Sequence, residues 1–269
     1  MMKNDGGVPQ NAHYPACPLL VSNLGMTRRY RRPILMAVPA ISVLICLLVV
    51  VVREQQYVLR FRAEQLLKDV QRLQNGTTTF EETERILDSW NPRYDHAKTW
   101  CRAAKCAVQV KIGDFANNHE VFFAKYGLVR RIYSLMGGRL AMAGADVTVE
   151  KGTIVNHEYG VMVFVFPSEI SGPDAYGYTL IGQLEFGEST PFGPREDTLH
   201  PTYNIGWPSG CEICIAIHVN LKPGASAADV ERLSQVNFSC LTRWLQPCRD
   251  KSDILPAAWA QAQKDLPSN

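Results

Sequence analysis

The residues best suited to chemistry in this sequence are two cysteines spaced as Cys211-Glu212-Ile213-Cys214. Two thiols at this spacing can form a reversible disulfide, and in thioredoxin-like oxidoreductases the motif opens a helix. Here the strand-like run CIAIHVNL begins at Cys214 instead. In an extended strand the two side chains would point to opposite faces, so a bond between them requires a turn after Ser209-Gly210. A redox role and a structural role both stay open, and the strand context favours the structural one.

Four further cysteines have spacings that suit structural disulfides. Cys101 and Cys106 can meet across a short turn. Cys240 and Cys248 cannot share one straight helix, because eight residues rise about 12 Å, whereas bonded cysteines need Cα atoms within about 7 Å. Pro247 allows the chain to turn between them. The even number of cysteines beyond the apolar run described below is typical of an oxidising compartment.

No established catalytic or cofactor motif accompanies these thiols. The nucleophile elbow is absent, because Ser209 lies one place late between Gly206 and Gly210. There is no zincin pair of histidines, no phosphate-binding loop and no dinucleotide fingerprint. His157, Glu158 and His200 could meet in the fold, although a turn or surface position is the simpler expectation for a histidine. The sequence therefore predicts no catalytic residue, no metal and no cofactor.

A run of 19 residues, Ile34 to Val52, carries no charge and a single hydroxyl, that of Ser42. As a helix it would rise roughly 28 Å, close to the hydrocarbon thickness of a bilayer. A buried core helix is usually shorter and rarely apolar on every side. No small-residue cleavage site follows the run, so we expect an uncleaved signal-anchor that contacts lipid through residues 34–52.

The charges around this run predict its orientation. Four arginines immediately precede it: Arg28, Arg29, Arg31 and Arg32. The denser basic cluster stays cytoplasmic, which sends the C-terminal part to the periplasmic or extracellular side of the inner (plasma) membrane. Residues 1–33 carry a net charge of +4 and are expected to be a disordered cytoplasmic tail, starting at Met1 or Met26. The rest of the chain carries −2, which disfavours nucleic-acid binding.

Helical periodicity follows the membrane run and returns near the C-terminus. Over residues 53–95, an apolar stripe of about two heptads and a capping box at Thr79 and Glu82 predict a helical stalk or hairpin with a break at Asn75-Gly76. Residues 223–269 open with Ser226 and Asp229, which suit a helix N-terminus. They are expected to form a helical segment packed on the domain before it.

Between these helical parts, residues 96–222 show the alternation and the Gly/Pro punctuation of β-strands. The candidate strands are 106–112, 121–127, 144–151, 159–166, 176–186 and 214–221. No helices alternate with them, so antiparallel pairing is expected rather than βαβ units. The predicted fold class is α+β, with an N-terminal transmembrane helix, a helical hairpin, an antiparallel β-sheet or sandwich domain and a C-terminal helix.

Three stretches resemble a group of uncharacterised single-pass, membrane-anchored proteins of Acidobacteria. They are LLKDVQRLQNGTTTFEETERIL (66–87), the Cys101/Cys106 pair, and the ending NFSCLTRW…C…LPAAW (237–259). The resemblance implies a bacterial envelope location but brings no activity and no site residues. The order of helix, NGTTT turn, helix and strands is also similar to envelope-assembly modules of the BamE/SmpA type over about 60 residues.

The anchor, the stalk and the missing motifs favour a non-catalytic, membrane-anchored extracytoplasmic module for protein or polymer interaction in the bacterial envelope, with an envelope protein as partner. Two alternatives stay open. One is an extracytoplasmic enzyme, either thiol-based through Cys211 and Cys214 or a hydrolase with a scattered site. The other is a ligand-binding sensor domain, which a cleft that gathers polar groups would favour.

Overall fold

One long helix carries the apolar run of the sequence. The computed structural model describes residues 28–90, 96–102, 105–113, 126–165, 178–187, 198–206, 214–244, 246 and 248–265. In it, α1 spans Arg28–Arg72. The portion Ala37–Arg72 contains an 18-residue window with mean hydropathy 2.3, long and apolar enough to cross a membrane. Within the described part of the chain this is the one candidate span, which is consistent with single-pass anchoring.

The start of α1 corrects the predicted boundary of the tail. The helix begins at Arg28, inside the segment 1–33 that was expected to be disordered. Arginine is a good helix former, so the residues before the apolar run continue its helix rather than interrupt it. Residues 1–27 of the predicted tail lie outside the described residues.

The body of the protein is an eight-stranded sheet. Its strands are β1 (His96–Arg102), β2 (Lys105–Gly113), β3 (Leu140–Glu150), β4 (Thr153–Val165), β5 (Tyr178–Gly187), β6 (Thr198–Leu199), β7 (Tyr203–Gly206) and β8 (Cys214–Leu221). Their order across the sheet is β1-β2-β3-β4-β5-β8-β7-β6. The described strands thus form one open sheet, not a sandwich.

The pairing is antiparallel as predicted, with one exception. β5 and β8 are parallel neighbours, with Leu184 opposite Val219. A parallel pair needs a crossover of a dozen or more residues. The chain between Gly187 and Cys214 is long enough for this and supplies β6 and β7 on the way. The expectation of purely antiparallel pairing is therefore wrong at this one place.

A helix also interrupts the strands where none was expected. α3 spans Gly127–Leu135 between β2 and β3. The last residue of the predicted strand 121–127 is therefore the first residue of a helix. Residues 121–125 lie outside the described residues. Leu128, Ile132 and Leu135 recur at spacings of four and three, which is helical periodicity. The other candidate strands coincide closely with β2, β3, β4, β5 and β8.

One face of the sheet is buried by helices, and it holds the core. The helices besides α1 and α3 are α2 (Phe80–Asp88), α4 (Ala227–Leu233), α5 (Ser239–Thr242), α6 (Lys251–Ile254) and α7 (Pro256–Asp265). The apolar stripe of α1, from Leu59 to Leu73, belongs to the same buried cluster as the inward side chains of the strands. Tyr159 of β4 is fully buried beneath α1 and donates its hydroxyl to Ala63 O at 3.0 Å. The heptad stripe therefore packs on its own sheet.

The break after α1 is tied to the sheet by hydrogen bonds. Gly76 has a φ of +77°, and its N–H donates to Ile154 O at 2.7 Å. Asn75 Nδ2 donates to Phe186 O at 2.9 Å. Beyond the turn, Thr79 accepts from the Glu82 N–H at 3.2 Å and starts α2, as the capping pattern predicts. At the other end of the chain Ser226 caps α4 in the same way, accepting from Asp229 N.

Candidate functional site

The face of the sheet turned away from the core carries a row of polar side chains. The row is in register across five strands: Gln109 on β2, Asp146 on β3, Glu158 on β4, Glu185 on β5 and Asn220 on β8. Side chains directly opposite each other on one face have Cβ atoms about 4.5–5.5 Å apart. Three carboxylates are therefore direct neighbours, which lowers stability because like charges repel. Such an arrangement points to a function that needs the acids together.

Two of the three carboxylates are held by glutamine side chains. Gln109 Nε2 donates to Asp146 Oδ1 at 2.6 Å, and Gln183 Nε2 donates to Glu158 Oε2 at 2.7 Å. Burial raises the pKa of Asp146, against the opposing effects of the Gln109 hydrogen bond and the charge of Lys111. Burial also raises the pKa of Glu158, and the neighbouring carboxylates add to the rise. A nearby cation would therefore stabilise both carboxylates in their charged form.

The third carboxylate, Glu185, is buried and lies against a histidine. Its Oε2 lies 3.1 Å from His218 Nε2, and its Oε1 accepts from Asn156 Nδ2 at 3.0 Å. Burial by itself would raise the pKa of Glu185, but the hydrogen bonds and charge of His218, with the amides of Asn220 and Asn156, hold it below its usual value. Glu185 is thus held by several side-chain partners, whereas Asp146 and Glu158 each accept one hydrogen bond from a glutamine amide.

A groove of about 230 Å³ runs along the sheet beside Asp146 and Glu158, and Lys111 of β2 also lines it. Its floor is made by Gly144 and Gly160, which lie opposite each other on β3 and β4 and leave the space that side chains would fill. The groove is acidic at the Asp146 and Glu158 end. Its other end is apolar and is lined by Met142, Met162 and Ile181. Its volume is just below the roughly 300–1,000 Å³ of small-molecule sites, so it suits one long side chain or a small headgroup.

A second, wider furrow of about 860 Å³ lies between α1 and the segment from α4 to Phe238. Its walls are bridged by Gln71 Nε2, which donates to Ser234 Oγ at 2.8 Å. Lys68 and Glu231 are exposed there. Because its charged groups lie on the open surface, the furrow lacks the converging carboxylates that distinguish the groove on the sheet.

The structure places the predicted disulfide cysteines in two bonded pairs. Cys101 is bonded to Cys106 at the turn between β1 and β2, and Cys240 of α5 is bonded to Cys248. α5 ends at Thr242, before Pro247, so the second pair spans the chain reversal that its spacing required. Both pairs lie far along the chain from the carboxylates and close turns rather than line the groove.

Only the second cysteine of the CxxC motif lies among the described residues. Cys214 is disulfide-bonded and is the first residue of strand β8, whereas in a thioredoxin-like site a helix follows the motif. Cys211 lies outside the described residues. The four topology-setting arginines, Arg28, Arg29, Arg31 and Arg32, lie in the first turns of α1.

His157, Glu158 and His200, which the sequence suggested could meet, do not come together in the structure. His157 and Glu158 are consecutive on β4 and point to opposite faces. His157 is buried in the core, stacked on Phe186 with ring centroids 4.7 Å apart, so the expectation of a surface position is wrong for it. His200 is exposed and stacks on Tyr203. The described residues hold no group of three His, Cys, Asp or Glu side chains that could bind a metal ion.

Sequence reasoning missed the groove because its residues come from separate strands. Asp146, Glu158 and Gln183 were each visible as polar residues inside strand patterns, with a glycine two places away in Gly144 and Gly160. The signal that could have found them is alternation, since every second residue of a strand shares a face. Only the register brings them side by side. No protein-family model, curated protein or solved structure matches the chain.

Proposed function

We propose that this protein is a non-catalytic, single-pass, extracytoplasmic binding module that captures a basic side chain of an envelope protein partner in the groove of its sheet. The observation that carries the proposal is the pairing of Asp146 with Glu158 at one end of a groove whose other end is apolar. Both carboxylates have a raised pKa and are only partly compensated by glutamine amides.

A lysine or arginine side chain has the matching distribution of chemistry. Its charged head satisfies two carboxylates, and its aliphatic stem packs on apolar surface. In the groove the head would lie between Asp146 and Glu158 and the stem over the glycine floor toward Met142 and Met162. Methionine adapts its shape to varied partners, which suits a surface that accepts side chains.

The extracytoplasmic location is supported by the disulfides and by the flanking charges. Two bonded cysteine pairs suit an oxidising compartment. Four arginines before the apolar run favour a cytoplasmic N-terminus. The anchor would keep the groove close to the bacterial membrane, where the envelope protein partner would also lie.

The test is binding of short peptides that differ only in one central residue: lysine, arginine, norleucine or glutamate. We expect the full chain in detergent micelles to bind the lysine and arginine peptides and not the other two, by fluorescence anisotropy. The double variant Asp146→Asn, Glu158→Gln should weaken binding at least tenfold, because it removes both charges. Equal binding of the norleucine peptide would contradict the proposal.

Two control variants separate the groove from general surface charge. Glu150→Gln removes an acid on the same face of β3 that pairs with Lys105 at 3.1 Å, outside the groove, and should leave binding unchanged. Gly160→Val fills the floor of the groove without touching either acid. A Cβ there meets only Gly182 O at 3.9 Å, so the variant should fold and fail to bind.

A hydrolase is the second candidate, and the raised pKa of Glu158 is the observation that favours it. A carboxyl whose pKa is raised is better suited to act as a general acid, while a neighbouring carboxylate acts as base or nucleophile. Turnover of glycoside or ester substrates by the full chain, abolished by Glu158→Gln, would establish this candidate. Binding without turnover supports the module.

A further inference from the structure

The first turns of α1 beyond the apolar run are packed against α3. Val52, the last residue of that run, forms a buried cluster with Tyr133 of α3 and Leu140. Gln56 Nε2 donates to the Tyr133 hydroxyl at 3.1 Å and to Arg139 O at 3.2 Å. These contacts fix α3 beside the point at which the chain leaves the hydrocarbon, because the apolar run ends at Val52.

The outer face of α3 is apolar and exposed. Leu128 is 72 % exposed, Ile132 47 % and Leu135 73 %. The spacings of four and three place all three side chains on one face of the helix. On a water-facing surface such a continuous apolar patch is unusual and marks a contact with a protein or a membrane.

Aromatic and basic side chains adjoin this face. Trp244 is 46 % exposed, and its Nε1 donates to Leu135 O at 2.8 Å. The guanidinium of Arg53 lies 5.2 Å from the centre of the Tyr57 ring and 5.6 Å from the Trp244 ring. Tryptophan, tyrosine and arginine are the residues that concentrate at the headgroup level of a bilayer. Arg131, also exposed, adds a second positive charge on α3.

The distance of this surface from the end of the apolar run indicates that a bilayer covers it. Tyr57 is five residues beyond Val52, a rise of about 7.5 Å along the helix, which lies within the headgroup layer. Leu47, Leu48, Val50 and Val51, just before Val52, are also exposed and apolar, so lipid would cover α1 up to the residue that contacts α3. A protein partner would cover the exposed face of α3 but not the apolar residues of α1 within the hydrocarbon, whereas a bilayer would cover both.

We infer that the domain rests on the membrane that anchors it, with α3 lying in the lipid headgroup region as a second, interfacial contact. The residues that make this contact are the interfacial collar: Arg53, Tyr57, Leu128, Ile132, Leu135 and Trp244. The collar buries its apolar side chains at the acyl boundary, and the exposed Arg131 beside it meets anionic phosphates.

The test uses the full chain reconstituted into vesicles of phosphatidylcholine with a minor share of phosphatidylglycerol. The acyl chains carry bromine near the headgroup, which quenches tryptophan fluorescence on contact. We expect strong quenching in the native protein and a loss of half or more of it in Trp244→Phe. Leu128→Ser combined with Ile132→Ser and Leu135→Ser should reduce the quenching similarly, because the helix then leaves the lipid.

Phe61→Ser is the matched control for these variants. Phe61 is 61 % exposed on α1 but lies nine residues beyond Val52, a rise of about 13.5 Å that places it above the headgroups. Its substitution should leave the quenching unchanged. Quenching that is the same in Trp244→Phe and in the native protein would overturn the inference. So would unquenched Trp244 together with a crosslinked dimer through α3, because the collar would then bind a second copy of the chain.

Discussion

Single residues in this protein show how burial sets the charge that each group can carry. His157 lies in the core with Nδ1 2.9 Å from Asn75 Oδ1. Because Asn75 Nδ2 is already donating to Phe186 O, the histidine is assigned as the donor and its other ring nitrogen is unprotonated. On the opposite face, Asp146 and Glu158 are kept close together although their charges repel. The first arrangement stabilises the fold, and the second lowers its stability.

The buried histidine predicts a loss of stability at acidic pH. Burial lowers the pKa of His157 to about 4 from 6.5, so its contribution is complete above pH 6.5 and is lost as the pH falls toward 4. The shift corresponds to about 3 kcal/mol. In His157→Gln, which keeps a donor but does not titrate, we expect a correspondingly smaller drop in the free energy of unfolding between pH 7 and pH 4, measured by urea denaturation. The exposed His200→Gln should retain the native drop.

The acidic pair predicts a stabilising substitution. A carboxyl whose pKa is raised by folding lowers stability once the pH exceeds its unfolded value, so Glu158 destabilises the protein at neutral pH. Glu158→Gln should raise the free energy of unfolding at pH 7 by a few tenths to about 1 kcal/mol while weakening peptide binding. Thermal denaturation at pH 7 and at pH 4 measures the gain, which should shrink at the lower pH. A loss of stability at pH 7 would contradict this account of the row.

At the scale of elements, glycines decide how closely the layers approach. Gly182 on β5 faces the core beneath α6, and a Cβ there would overlap Ile254. Gly160 on the neighbouring strand faces the groove, where the nearest atom to an added Cβ is Gly182 O at 3.9 Å. The same residue type thus serves close packing of a helix on one face and an open groove on the other.

These two glycines predict opposite responses to one added methyl group. Gly182→Ala should lower the free energy of unfolding by about 1–3 kcal/mol, because α6 must move away from β5. Gly160→Ala should be neutral or slightly stabilising, since alanine reduces the freedom of the unfolded chain at no steric cost. Guanidinium denaturation of both variants gives the comparison. Equal effects would mean that the packing of α6 does not depend on the absent side chain.

At the scale of the whole molecule, one continuous helix contains both the apolar run and the stripe that packs on the sheet. α1 runs from the basic cluster through the apolar run and on to Arg72, and its second half supplies the stripe that buries one face of the sheet. The folded domain therefore cannot be separated from its anchor by cutting near the membrane without shortening a core element.

The topology predicts which parts of the chain a protease can reach. In intact spheroplasts, added protease should degrade residues beyond the anchor and spare an epitope tag at the N-terminus, because the arginine cluster keeps that end inside. A variant with Arg28, Arg29, Arg31 and Arg32 all replaced by glutamine should give a mixture of orientations. Complete protection of the domain in intact spheroplasts, with cleavage only after lysis, would reverse the proposed orientation.

The sequence by itself determined the features that depend on local chemistry. The apolar length of residues 34–52, the cap at Thr79, the break at Asn75-Gly76 and the strand at 214–221 all follow from neighbouring residues, and the structure contains each of them. α3 was missed although its periodicity was present, because the helix has only 9 residues, fewer than the window of about 11–18 in which a helical period is distinctive.

Only the tertiary structure decided the parallel neighbours β5 and β8, the burial of His157 and the groove. Each depends on which strands lie side by side and in what register, and register is set by contacts between residues far apart in the chain. Asp146 and Glu158 are twelve positions apart in sequence, and only the pairing of β3 with β4 makes them one acidic site. The same is true of Val52 and Tyr133, whose contact brings an exposed apolar helix to the end of the membrane run.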